Sequence, residues 1–121
     1  MSEVSRFRGT GVALITPFKA DGAIDYDALE RVIEHVIQEN GVDYIVTLGT
    51  TGEAIPLSTT ECRSVFDFTI KVVNKRVPLV AGLFGGNNTA SLAEKIKNYD
   101  FVGFDAIMSS SPAYNKPTQE G

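Results

Sequence analysis

Tyr44-Ile45-Val46-Thr47-Leu48, then Gly49-Thr50-Thr51-Gly52-Glu53, then Leu57-Ser58-Thr59-Thr60-Glu61 is the stretch on which the reading of this chain turns. The first five residues are apolar or β-branched with no polar alternation, the pattern of a strand covered on both faces. Ser58, followed three residues later by Glu61, is a capping box and marks the start of a helix. Val65, Phe66, Thr69, Ile70, Val72 and Val73 keep helical spacing from there to Asn74. The segment therefore predicts a strand, a short loop and a covering helix.

The same unit recurs on either side. Towards the amino terminus, Gly11 to Ile15 is an apolar run closed by Thr16-Pro17, and proline biases its predecessor away from helix. Asp21-Gly22 makes a turn, Asp25 stands at a helix N-cap, and Leu29, Val32, Ile33, Val36 and Ile37 form an amphipathic stripe ended by Asn40-Gly41. Towards the carboxyl terminus, Val77 to Leu83 reads as a third strand with Pro78 at its entrance. Gly85-Gly86-Asn87-Asn88 leads into a helix through Leu92, Ala93 and Ile96, and Phe104 to Met108 reads as a fourth strand. Ser109 to Gly121 is a polar loop punctuated by proline. A strand recurs about every 30 residues, the length of a βα repeat, so the expectation is a parallel sheet clothed in helices.

Composition bounds the function. With 121 residues, 43% apolar and 21% charged, the chain has length for one domain at most. A net charge of −4 argues against duplex nucleic acid or an anionic membrane as partner. Cys62 and His35 are the sole residues of their types, so no internal disulfide or structural zinc site is expected, and a reducing, cytoplasmic setting fits. Neither a signal peptide nor an apolar run of the roughly 18 residues a membrane span needs is legible.

Chemistry in parallel α/β folds gathers at the loops leaving the carboxyl ends of the strands. Gly49 to Glu53 offers two hydroxyls, two glycines and a carboxylate. It reads equally as a tight turn bonded to its own backbone or as a loop whose N–H groups and hydroxyls meet an anionic ligand. No Gly-Lys-Ser/Thr follows, which excludes a P-loop. Tyr114 is the one aromatic in the loop after the fourth strand, either a surface ring or a phenol held towards a ligand. Asn88 reads as a helix cap in preference to an anion site, His35 as a solvated helix residue, and Cys62 as a packing residue with no histidine partner.

Three motifs in order, Gly9-Thr10-Gly11-Val12-Ala13-Leu14-Ile15-Thr16-Pro17-Phe18, Gly49-Thr50-Thr51-Gly52-Glu53 with Leu57-Ser58 and Glu61, and Ser111-Pro112-Ala113-Tyr114-Asn115-Lys116-Pro117-Thr118-Gln119-Glu120-Gly121, resemble the dihydrodipicolinate synthase (4-hydroxy-tetrahydrodipicolinate synthase) family along essentially the whole chain. N-acetylneuraminate lyase and other pyruvate-dependent aldolases share variants of the second motif, while the Tyr114 to Gly121 run favours the synthase branch. The resemblance implies a (β/α)8 barrel, of which residues 1–121 are the first four βα units and the amino-terminal part of one domain. It implies a lyase of lysine and diaminopimelate biosynthesis that condenses pyruvate with L-aspartate 4-semialdehyde through a lysine Schiff base, with no metal or organic cofactor. By position, Thr50 corresponds to the proton-relay threonine, Thr51 to the threonine holding the pyruvate carboxylate, and Tyr114 to the tyrosine that reaches a neighbouring subunit of a dimer or tetramer.

The same resemblance puts the Schiff-base lysine, a second relay tyrosine and an arginine on later strands, beyond the span of this chain. Lys19 and Lys116 fall in loops, and Lys71, Lys75, Lys95 and Lys97 on or beside helices, so no nucleophile is assigned here. Thr59 and Cys62 stand where some lysine-inhibited relatives have histidines, and Ala113 replaces an aromatic. The competing expectation is a small noncatalytic α/β module in which Gly49 to Glu53 and Gly85 to Asn88 bind an anion.

Overall fold

The structure, a computed structural model, describes residues 3–83, 88–112, 114 and 118. Gly85, Gly86, Asn87, Ala113 and most of the run from Asn115 to Gly121 lie outside the described residues. After a 3-10 turn at Glu3–Phe7 come β1 (Gly11–Ala13), α1 (Tyr26–Glu34), a π-helical continuation (His35–Glu39) and β2 (Tyr44–Thr47). A 3-10 turn at Thr50–Gly52 is followed by α2 (Thr59–Val73), β3 (Leu79–Gly82), α3 (Thr89–Asn98) and β4 (Ala106–Met108).

All strand pairs are parallel, and the spatial order β1-β2-β3-β4 is the order of the chain. Each helix thus carries the chain one strand further in the same direction. A doubly wound sheet reverses direction and leaves its first strand in the middle; a sheet that keeps stepping one way is the arc of a barrel.

Alternation along the strands separates two faces. Val12, Ile45 and Leu79 share one row of the register and pack beneath the helices with Leu29, Ile33, Val65, Phe66 and Val73. The next row, Ala13, Val46, Val80 and Ala106, points to the other face. Ala13 and Ile15 are exposed there, as is Met108 at the end of β4. The rings of Phe104 and Tyr99 meet Phe66 edge-on, with centroids 4.9 and 6.0 Å away, and carry the core from α2 across to the β4 side.

The helix starts are those the sequence marks. Asp25 accepts from the Ala28 amide at 2.9 Å and Asn88 from the Ser91 amide at 3.0 Å, while Ser58 and Glu61 exchange both bonds of the capping box at 3.0 and 3.1 Å. Arg76 closes the far end of α2: it donates to the Val72 and Val73 carbonyls and forks onto Glu34 of α1 at 2.7 and 2.9 Å. Arg6 pairs with Asp105 at the entrance to β4, and the same carboxylate accepts from the Leu79 amide at 2.9 Å.

Four expectations are corrected. The strands are shorter than the apolar runs: β1 stops at Ala13, β3 starts at Leu79 and β4 at Ala106. Leu48 is not strand, because its φ of 54° turns the chain out of the sheet. The stripe Val36–Ile37 continues α1 as a π segment, and of the Asn40-Gly41 stop only Gly41 is left-handed, at φ 58°. In α3 the apolar stripe is not buried: Leu92 is half-buried, Ala93 exposed and Ile96 40% exposed. His35 is solvated as expected and pairs with Glu39 at 2.8 Å.

Candidate active site

The carboxyl ends of β1, β2 and β3 converge on the turn that follows β2. Leu48 is buried and left-handed, Gly49 is buried behind it, and Thr50 to Gly52 winds a single 3-10 turn closed by the Gly52 amide on the Gly49 carbonyl at 3.0 Å. Glu53, left-handed at φ 56°, ends the turn with its amide on the Thr50 carbonyl at 3.1 Å. The winding buries Gly49 and Gly52 and leaves the Thr50 and Thr51 side chains exposed beside one another.

The turn is anchored from both flanks. From the segment that follows β1, the Thr16 hydroxyl, buried to 4% exposure, donates to the Gly52 carbonyl at 2.6 Å. From β3, Gly82 permits the Leu48–Gly49 peptide to lie against the sheet: a Cβ there would sit 2.2 Å from the Leu48 carbonyl oxygen and 2.7 Å from the Gly49 nitrogen. Neither anchor is evident in the sequence. Thr16 reads only as the residue before Pro17 and Gly82 only as the end of an apolar run, and both roles come from contacts across more than thirty residues. A hydroxyl closing an otherwise apolar strand is the one available signal for Thr16.

Tyr114, the third predicted site residue, follows β4 with φ 66° and a fully exposed ring. Thr50 and Thr51 thus share one rigid turn, whereas Tyr114 projects into solvent from a different loop. Beside the turn, α2 and α3 enclose a cavity of about 250 Å³ lined by Leu48, Leu57, Thr59, Cys62, Phe66 and Lys95 among others. Burial pushes the Cys62 thiol up, with Lys95 pulling the other way, and its sulfur lies 3.9 Å from the Ala54 carbonyl. Cys62 is therefore a packing residue, less nucleophilic than a free thiol. Burial likewise raises the Tyr99 phenol. Lys71 lies on α2, Lys95 and Lys97 on α3, and Lys19 and Lys75 in loops, so among the described residues no lysine projects from a strand.

Among the described residues there is no group of three or more His, Cys, Asp or Glu able to hold a metal, and no helix long and apolar enough to cross a membrane. What the turn presents is a pair of neutral hydroxyls on a fixed backbone. Such a pair can donate to a carboxylate and pass a proton without either group holding a charge near neutrality.

A sheet that steps one way, with its exposed hydroxyls on the strands' carboxyl side, defines the first half of a (β/α)8 barrel. The chain belongs to the Dihydrodipicolinate synthetase family, which it matches over residues 6–121. It is 51% identical over 115 residues to the 4-hydroxy-tetrahydrodipicolinate synthase of Flavobacterium psychrophilum, covering 95% of this chain and 39% of that protein. The solved 4-hydroxy-tetrahydrodipicolinate synthase of Methylacidiphilum fumariolicum superposes with a TM-score of 0.81 at 43% identity, over 93% of this chain and 37% of that one. N-acetylneuraminate lyase of Mycoplasma synoviae superposes equally well, with a TM-score of 0.81 at 28% identity over 96% of this chain and 40% of its own. The chain thus spans about two fifths of the length of the relatives it matches.

Proposed function

We propose that residues 1–121 are the amino-terminal part of a single barrel domain that condenses pyruvate with L-aspartate 4-semialdehyde through a lysine Schiff base. In this reading the Thr51 hydroxyl holds the pyruvate carboxylate. Thr50 relays a proton in series with Tyr114, which comes from the neighbouring subunit of a cytoplasmic dimer or tetramer. The attacking lysine belongs to the part of the barrel outside this chain. A lysine suits the first step because its neutral amine adds to the ketone and leaves an iminium as electron sink.

The observation that carries the reading is the anchored turn with Thr50 and Thr51 exposed at the carboxyl end of β2, in a chain of this family. The exposure of Tyr114 agrees with a ring that completes a site other than its own. The likeness to N-acetylneuraminate lyase favours a second reading, the same Schiff-base chemistry with a different aldehyde.

Borohydride trapping tests the first step. Residues 1–121 joined to the remainder of the Flavobacterium psychrophilum synthase should form a covalent pyruvate adduct, and the 121-residue chain alone should form none. An adduct on Lys19, Lys71, Lys75, Lys95, Lys97 or Lys116 of the isolated chain would overturn the assignment of the nucleophile to the rest of the barrel. Turnover of the joined protein with L-aspartate 4-semialdehyde separates the synthase from other pyruvate-dependent aldolases. No adduct at all would leave the anion-binding module as the better account.

A further inference from the structure

We infer that Thr16 is a positioning residue for the proposed site: its buried hydroxyl sets the pose in which the β2 turn presents Thr50 and Thr51. The inference rests on the function proposed above for those two threonines and adds a residue that touches neither substrate nor reacting atom.

The turn is short of internal restraint. Its two closing hydrogen bonds, from the Gly52 and Glu53 amides, fix its winding but not its tilt over the sheet. On the β3 side Gly82, having no Cβ, lets the Leu48–Gly49 peptide lie close against the strand. Thr16 adds a directional restraint to the burial of Leu48: its Oγ1 donates to the Gly52 carbonyl at 2.6 Å across 36 residues. That carbonyl belongs to the residue directly after Thr51, so the bond sits one peptide from the proposed carboxylate contact. Thr16 is itself held: Leu14 is hydrogen-bonded to the Val46 carbonyl at 2.9 Å, and Pro17 fixes the backbone that follows. A buried donor on a restrained backbone is the arrangement that holds a catalytic group to within a fraction of an ångström. A displacement of about 1 Å at such a site costs on the order of 100-fold in rate.

The test uses the joined barrel described above. Thr16→Val, which keeps the volume and removes the hydroxyl, should lower kcat by about 10- to 100-fold and raise the pyruvate KM by about tenfold, with the aldehyde KM unchanged. Thr16→Ser should restore both to within about twofold. A role in folding alone predicts loss of thermal stability with both Michaelis constants unmoved, and that result would overturn the inference. Thr51→Val, assayed in parallel, separates the positioning role of Thr16 from the site it serves. If it raises the pyruvate KM while Thr16→Val does not, the positioning role fails and the site stands; if Thr51→Val has no effect, the site assignment itself fails.

A second readout needs no turnover. In the joined barrel the Gly52 and Glu53 amides should exchange with solvent about tenfold faster in Thr16→Val, and return towards the starting rate in Thr16→Ser. Unchanged exchange at both amides would overturn the inference as well. Should Thr16→Val fail to accumulate, Thr16→Cys, of similar size with a poor donor, is read by the same two criteria.

Discussion

Gly82→Ala adds one methyl group and should be costly. A Cβ at this position would meet the Leu48 carbonyl oxygen at 2.2 Å, the Leu48 carbonyl carbon at 2.5 Å and the Gly49 nitrogen at 2.7 Å, all of them backbone atoms that no rotamer change can move aside. Ordinary contact begins near 3.4 Å, so the peptide must retreat by about 1 Å or the strand must yield. Overpacking of this kind costs about 1–3 kcal/mol. Against it, replacing glycine by alanine restricts the unfolded chain and returns about 0.4–1 kcal/mol. The steric effect wins, leaving a net loss of about 1–2 kcal/mol, or about 3–10 °C in Tm for a domain of this size. Urea denaturation followed by circular dichroism measures it, with Gly41→Asn as the control: Gly41 has φ 58° and open space around its Cβ direction, and asparagine tolerates that conformation. If Gly82→Ala matches the parent within about 0.3 kcal/mol, the close approach of the β2 turn to β3 is wrong, and with it the account of how the turn is held.

In the joined barrel, Thr50→Val should lower turnover by about 10²–10⁴ through loss of the relayed proton; wild-type turnover would remove Thr50 from the relay. Arg76 holds the Glu34 carboxyl below the usual carboxylate range, so the stabilisation from this pair is fully present above the unfolded value of about 4.3 and is lost as pH falls through the lowered folded value. Denaturation midpoints of the parent should accordingly fall faster than those of Glu34→Gln as pH drops below about 5; parallel curves would discount the pair. Burial of Cys62 predicts slow alkylation by iodoacetamide at pH 8, with the rate still rising at pH values where a free thiol has levelled off, and labelling as fast as glutathione would contradict its placement. The 121-residue chain by itself should self-associate in sedimentation, since β1 and β4 each pair on one side among the described strands and Ile15, Ile107 and Met108 are exposed; a clean monomer at high concentration would argue against this.

What was legible in the sequence was local. Ser58 and Glu61, Asp25 and Asn88 mark helix starts because a cap is a contact over three residues, and the spacing carries the geometry with it. The order of apolar runs gave the βα repeat for the same reason. Thr50 and Thr51 stand out by composition and lie, exposed, on one turn. The apolar runs extend past the strand ends because Leu48 is as apolar as its neighbours, yet it leaves the sheet with a left-handed φ and is buried in doing so. The π segment at His35–Glu39 has no pattern of its own that distinguishes it from α-helix. Thr16 and Gly82 have no local sequence signal because what each does depends on a partner in another βα unit, and those units meet only in the complete fold.

The contact between Arg6 and Asp105 bears on the order in which the chain assembles. It joins residues 99 positions apart, and closing so long a loop costs about 4 kcal/mol of chain entropy. An exposed ion pair returns at most about 1 kcal/mol. The pair therefore cannot nucleate anything. It forms after β2 and β3 have already brought the two ends of the segment together, and it works as a latch on a finished arc. Its effect falls on how fast the arc opens and not on how fast it closes, which puts the kinetic lifetime of β4 under the control of the chain's first few residues.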